Sequence, residues 1–234
     1  MSRISATLAL SVSLLAGASG VAWAQTAETV NIGGSNAVLL MPKAPRASVI
    51  LMPGGNGSIG ATAGGRITQL RGNQLVRTRN DYLARGLAVL VTDSNTNLAS
   101  AVNYMAKIKR PVTVIATSRG TQRAAQGIAA GARPDALVLT AGFLSPQSGA
   151  DVNVMSILGS AAALPRTLVI HHRQDGCRFT LAAGVDPFIA WSAGRARVAW
   201  LSGGANAGDP CGARAYHGFN GLDGQVVALA AGFR

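Results

Sequence analysis

Apolar positions along the chain fall into two periods, and the alternation between them predicts the order of elements. Nearly unbroken apolar runs at Ala47 to Met52, Leu87 to Val91, Val112 to Ala116, Ala136 to Leu139 and Thr167 to Ile170 predict strands buried on both faces, and Arg197 to Leu201 adds another. Glu28 to Ile32 and Asn36 to Met41 flank Gly33-Gly34 and predict an opening hairpin. Helical spacing lies between these runs. Leu75 and Val76 recur seven positions on as Tyr82 and Leu83, a stripe that Gly86 can end. Leu98, Val102 and Met105 repeat at i, i+4, i+7 before Pro111, and Ala124, Ala125 and Ile128 form a small-residue face closed by Gly131. Asp186-Pro187 reads as a cap followed by proline at the first helical position, with Gly194 as the stop. A last helix is expected from about Gly224 to Ala231. Strands and helices in alternation mean an α/β class: about eight strands, mostly parallel, with helices on both faces. No repeat, charge block or linker divides residues 25–234, so a single domain is expected there.

The first 24 residues break this pattern. Arg3 precedes an apolar core from Ile4 to Leu15, a small polar region follows, and Ala22-Trp23-Ala24 stands before Gln25. That layout predicts a cleaved secretory signal peptide over 1–24 and a bacterial protein that is periplasmic or secreted. No run reaches the ~18–20 apolar residues of a membrane span, so integral membrane association is not expected. Export gives the Cys177 and Cys211 pair, the only cysteines of the sequence, an oxidising compartment in which to form a disulfide. Metal ligation is not expected, because no second cysteine pair or histidine cluster completes a tetrahedral set.

Ligands of such sheets collect beyond the carboxyl ends of the strands, so the residues that follow each run carry the candidate chemistry. Ala116-Thr117-Ser118-Arg119-Gly120 is a nucleophile-elbow pattern with Ala in place of the first Gly. A tight strand-to-helix turn needs small residues two before and two after the serine, and Ala still fits. The same serine could instead simply cap the helix. A serine hydroxyl needs a base. Of the histidines, His217 lies in a loop between the last strand and the last helix, where the order Ser, Asp, His puts the base. His171 and His172 end a strand and point to opposite faces, which favours packing or supporting hydrogen bonds. Asp175, after the strand Thr167 to Ile170, suits the orienting acid, with Asp151 second; Asp209 and Asp223 read as loop and cap residues. A Cys177–Cys211 disulfide would tie the acid-bearing loop to the base-bearing loop, or serve as a plain staple. Pro53-Gly54-Gly55-Asn56-Gly57 can turn backbone N–H groups toward developing negative charge, so Gly55 or Asn56 and the amide of Arg119 are the candidate oxyanion donors. The loop lacks the Lys-Ser/Thr ending of a phosphate loop and the G-x-G-x-x-G of a dinucleotide site. No cofactor is expected.

Leu51 to Gly57, Ala116 to Gly120, His171-His172-Arg-Gln-Asp175-Gly-Cys177 and Gly208 to Asn220 together resemble the α/β-hydrolase superfamily, most of all small secreted bacterial members of dienelactone-hydrolase size. The resemblance spans residues 25–234 in order. It implies the α/β-hydrolase fold, Ser118 as nucleophile, Asp175 as acid, His217 as base, and acyl-enzyme chemistry on esters or related acyl compounds. The stretches from Asp93 to Pro111 and from Ala141 to Pro165 are short and leave little room for a lid. A shallow site for small or exposed acyl groups is therefore expected.

Charge adds one further question. The formal net charge is +12, from 21 Lys+Arg against 9 Asp+Glu, and loss of Arg3 with the leader leaves +11. The basic residues are scattered and aromatics make up only 5%, so no nucleic-acid partner is expected. Arg119 and Arg178 flank the candidate nucleophile and acid, a placement that suits either structural hydrogen bonds or anionic acyl substrates. A fold alone does not give a function. The competing readings are a non-catalytic exported binding protein on the same fold, and a basic protein of the cell surface.

Overall fold

The computed structural model describes residues 26–234; the expected leader at 1–24 lies outside them. The hairpin β1 (Thr26–Ile32) and β2 (Ser35–Met41) opens the chain, and Gly33 and Gly34 turn it at φ of +59° and +89°. Then come β3 (Ala47–Met52), the two-residue strands β4 (Ala61–Thr62) and β5 (Arg66–Ile67), α1 (Gln74–Arg77), α2 (Arg79–Ala84), β6 (Leu87–Val91), α3 (Leu98–Ile108) and β7 (Val112–Thr117). The second half runs α4 (Gly120–Ala129), β8 (Ala136–Thr140), α5 (Val154–Leu158), β9 (Thr167–His172), α6 (Val185–Trp191), β10 (Ala196–Leu201) and α7 (Asp223–Gly232).

Eight strands form one sheet in the order β1-β2-β6-β3-β7-β8-β9-β10. Only β2 runs against its neighbours; from β6 to β10 every pairing is parallel. β4 and β5 form a separate small ribbon. Strand side chains alternate between faces. Val49 and Leu51 join a cluster with Leu75, Tyr82 and Val226 of α1, α2 and α7, while Ile50 and Met52 join one with Val102, Ala125 and Phe188 of α3, α4 and α6. Each fully buried aliphatic side chain contributes about 1.5–3 kcal/mol. Two covered faces explain why the strands read as unbroken apolar runs.

Three local expectations are corrected. The Leu75 to Leu83 stripe is not one helix but α1 and α2, broken at Thr78, whose hydroxyl donates to the Gln74 carbonyl at 2.7 Å. A side chain that bonds its own backbone in this way competes with helix continuation. Asp186 does not cap α6; Gly184 does, and Asp186 sits in the first turn, where its charge complements the helix dipole. Strands β7 and β8 also run one residue past their expected ends, because Thr117 and Thr140 are as buried as the apolar residues before them, and β9 ends on His171 and His172.

Candidate functional site

The carboxyl ends of β3, β7 and β9 and the loop after β10 lie at the same end of the sheet. Ser118 leaves β7 with φ of +52° in the left-handed region, which costs a non-glycine residue about 1–3 kcal/mol. Its surroundings hold it there. The Ser118 N–H donates to the Thr140 carbonyl at 3.0 Å, and its carbonyl accepts from the Thr121 N–H and hydroxyl at 2.9 and 2.7 Å. The small neighbours are required: a β-carbon at Gly120 would collide with the Met52 carbonyl, and one at Gly54 would lie 2.8 Å from Ser118 Cβ. Ala116 is fully buried between Met52 and Leu139, so its methyl is accommodated.

Asp175 lies three residues beyond β9, almost fully buried. The Cys177 N–H donates to its Oδ1 at 2.9 Å. Its Oδ2 accepts from the Thr180 hydroxyl at 2.9 Å and from His217 Nδ1 at 3.0 Å. Thr180 Oγ1 is also 2.9 Å from His217 Nδ1. With the hydroxyl proton given to Asp175, Nδ1–H points between two acceptors, which selects the tautomer with a free Nε2. Ser118 and His217 line a common pocket of about 180 Å³ with Gly54, Gly55, Thr117, Gln74 and the segment Cys211 to Ala213. Among the described residues no hydrogen bond joins Ser118 to His217. Bonds of this kind commonly close only when substrate is bound.

The other expected residues fall as follows. Gly55 lines the pocket at φ of +58°. Asn56 does not line it; its side chain turns back to accept from the Ser58 N–H at 3.1 Å. Arg119 caps α4, so its amide opens that helix directly after Ser118. Its exposed side chain lies outside the pocket lining, as does that of Arg178, whose guanidinium stacks on Phe179 at 4.6 Å. Asp151 is exposed and its side chain takes no part. Cys177 and Cys211 form a disulfide. No residue of 93–111 or 141–165 lines the pocket. Among the described residues no group of three or more His, Cys, Asp or Glu is arranged to hold a metal ion, and no helix is long and apolar enough to cross a membrane.

No family model and no curated protein sequence matches the chain. Solved structures do. An esterase domain from Rhodothermus marinus superposes with a TM-score of 0.56 at 15% identity, covering 88% of this chain and 98% of that one. A dienelactone hydrolase from Anabaena variabilis gives 0.54 at 15%, covering 90% and 96%. An alpha-beta serine hydrolase homologue from Coxiella burnetii gives 0.55 at 13%, covering 88% and 95%. The fold is that of the α/β hydrolases.

Within this α/β-hydrolase fold, several supporting residues escaped the sequence reading. Thr180 is one, five residues past Asp175. Arg77 is another: it forks onto Asp223 through two bonds of 2.8 Å, and donates to the carbonyls of Gly218 at 2.7 Å and Ala213 at 3.4 Å, on either side of His217. Asp223, read as a cap, is thus the partner of Arg77. Arg123 supports the glycine loop through the carbonyls of Pro53 and Gly55. Burial, then the nearby Arg119 charge, lowers the Arg123 pKa. The two adjacent histidines separate as alternation requires. His172 stacks on Tyr216 at 4.3 Å and donates from Nε2 to the Gly203 carbonyl, while Nδ1 accepts from the Gln174 N–H. His171 donates from Nδ1 to the His172 carbonyl, and its Nε2 is buried without a hydrogen-bond partner, 3.9 Å from Asp175 Oδ2. Burial, the largest cause, lowers its pKa despite the attraction of Asp175, so the ring is neutral near pH 7.

Proposed function

We propose that the protein is an exported serine hydrolase, a single domain over residues 25–234, that cleaves small or exposed acyl esters or related acyl compounds. The observation that carries this reading is the hydrogen-bonded Asp175–Thr180–His217 cluster, whose free Nε2 shares a pocket with a strained Ser118. The esterase and dienelactone hydrolase among the structures of this fold agree with it.

In the proposed reaction Ser118 Oγ attacks the acyl carbonyl while its proton passes to His217 Nε2. Asp175 and Thr180 hold Nδ1–H and stabilise the imidazolium. The tetrahedral oxyanion accepts from the Arg119 amide and from a second donor in the glycine loop, Gly55 or Asn56; the pocket position of Gly55 favours the former. Collapse breaks the bond to the leaving oxygen, which takes the proton from Nε2. Water then repeats the sequence on the acyl-enzyme and restores Ser118. A pocket of about 180 Å³ lies below the ~300–1,000 Å³ typical of ligand sites, which supports a short acyl group. Its lining carries no arginine or lysine, so a preference for anionic esters would have to come from outside it.

Covalent labelling with a fluorophosphonate tests the reading. Wild type is expected to label, His217→Gln slowly, and Ser118→Ala not at all. Equal labelling of wild type and Ser118→Ala would reject Ser118 as nucleophile, and an unreactive wild type would leave a binding protein on this fold.

A further inference from the structure

A second concavity, of about 490 Å³, is lined by residues that alternate along the chain with those of the catalytic pocket. Leu70, Asn73 and Gln74 face the pocket, whereas Arg66, Ile67, Thr68, Arg71 and Arg79 line this cleft. Three guanidinium groups and no carboxylate therefore surround one space.

The contrast with Arg77, between Arg71 and Arg79 in the sequence, is direct. Its fork is spent on Asp223 and on the carbonyls of Gly72, Ala213 and Gly218. Among the described residues neither ion pair of an arginine with an aspartate, Arg77–Asp223 or Arg110–Asp135, includes a cleft residue. Arg79 uses NH1 on the Val76 carbonyl at 2.6 Å, and Arg66 uses Nε on Thr62 Oγ1 at 3.3 Å, which leaves their remaining N–H groups available. Thr68 gives its hydroxyl proton to the Gly60 carbonyl at 2.8 Å and keeps an acceptor face. Half-burial, and after it the charge of Arg71, lowers the Arg79 pKa. Like charges gathered in one cleft repel, and a bound anion would relieve that repulsion.

We propose that the cleft of Arg66, Arg71 and Arg79 is a binding site for a multiply charged phosphate group, separate from the ester-cleaving pocket. Guanidinium forks match phosphate oxygens in pairs, and three of them call for a ligand carrying two or more negative charges. Because Leu70 and Arg71 are adjacent and line the pocket and the cleft respectively, a ligand in the cleft would also steady the segment beside the pocket.

The test is calorimetric titration with sodium tripolyphosphate at physiological ionic strength, with inorganic phosphate as the weaker probe. It needs no turnover, so its outcome stands apart from that of the fluorophosphonate experiment. Saturable binding by wild type is expected, weakened by about tenfold or more in Arg66→Gln/Arg71→Gln, where both side chains are exposed and the fold is spared. Arg79→Gln, checked for folding by circular dichroism, is expected to weaken it likewise. The charge-matched control Lys107→Gln/Arg195→Gln, at exposed sites elsewhere, is expected to stay within about twofold of wild type, since screening confines distant charges. Equal weakening by the cleft and control variants would show only the general field of a basic protein and overturn the proposal. So would a wild type that does not saturate.

Discussion

Ser118 and His217 face one pocket but are held there by different means. Ser118 rises from β7, all six residues of which are buried, with β3 and β8 bonded on either side. Its backbone is fixed by the sheet itself. His217 follows an exposed stretch from Ser202 to Pro210, with glycines at 203, 204 and 208 and no regular element. The segment around His217 itself is tied by cross-links: the disulfide from Cys211 to the loop that carries Asp175, the Arg77 bonds to the carbonyls of Ala213 and Gly218, and the stack of Tyr216 on His172. On the proposed reading, the geometry of the nucleophile thus comes with the fold, while that of the base depends on ties that can be cut one at a time.

Cutting them should separate the two halves. The largest effect is expected on the rigid side: Ser118→Ala should lower ester turnover by about 10⁴-fold or more with the thermal midpoint little changed. Turnover within about tenfold of wild type would break the comparison at its root. Next, Asp175→Asn, measured by kcat on a short-chain chromogenic ester, should cost about 10³–10⁴-fold, because the imidazole loses its fixed tautomer. Thr180→Val would sharpen this, with a smaller loss read in kcat rather than KM, since Asp175 still accepts from Nδ1. The Cys177→Ser/Cys211→Ser protein should lose about 3–4 kcal/mol in denaturant unfolding from the loop of 34 residues it opens. Its kcat should fall as well, because Cys177 holds Asp175 through its amide and Cys211 lines the pocket. Lost stability with unchanged kcat would make the disulfide a plain staple. Arg77→Met should cost about 1–3 kcal/mol and lower kcat through a displaced His217, with fluorophosphonate labelling slowed in parallel.

The smallest expected effect is that of pH on stability. His171 is held neutral in the fold, while the unfolded chain takes up its proton at the ordinary value near ~6.5. Its contribution is therefore complete above that value, and stability falls as pH drops through it. Thermal midpoints from pH 8 to pH 5 should decline less steeply for His171→Gln than for wild type. Parallel curves would show that this ring does not set the slope.

Much of the fold was legible because it depends on local pattern. Unbroken apolar runs mark strands covered on both faces, and the candidate serine, aspartate and histidine were picked from the residues that follow strand ends. Thr180 and Arg77 were invisible for a physical reason: each acts across the fold, Arg77 reaching 146 positions along the chain to Asp223, and a lone threonine or arginine has no periodicity. Splitting the Leu75 to Leu83 stripe required knowing that Thr78 turns its hydroxyl back on Gln74, a choice that spacing does not record. The ends of β7 and β8 were set short because polar side chains read as exits, although the structure buries Thr117 and Thr140.

On the proposed reading, the Cys177–Cys211 link has a consequence for when the protein works. A chain waiting in reducing cytoplasm lacks the strap between acid and base, so an immature copy would be a poor catalyst beside its host's own esters and thioesters. Crossing into an oxidising space would then complete both the covalent framework and the reactive centre in a single event, sparing the cell a hydrolase at work before delivery.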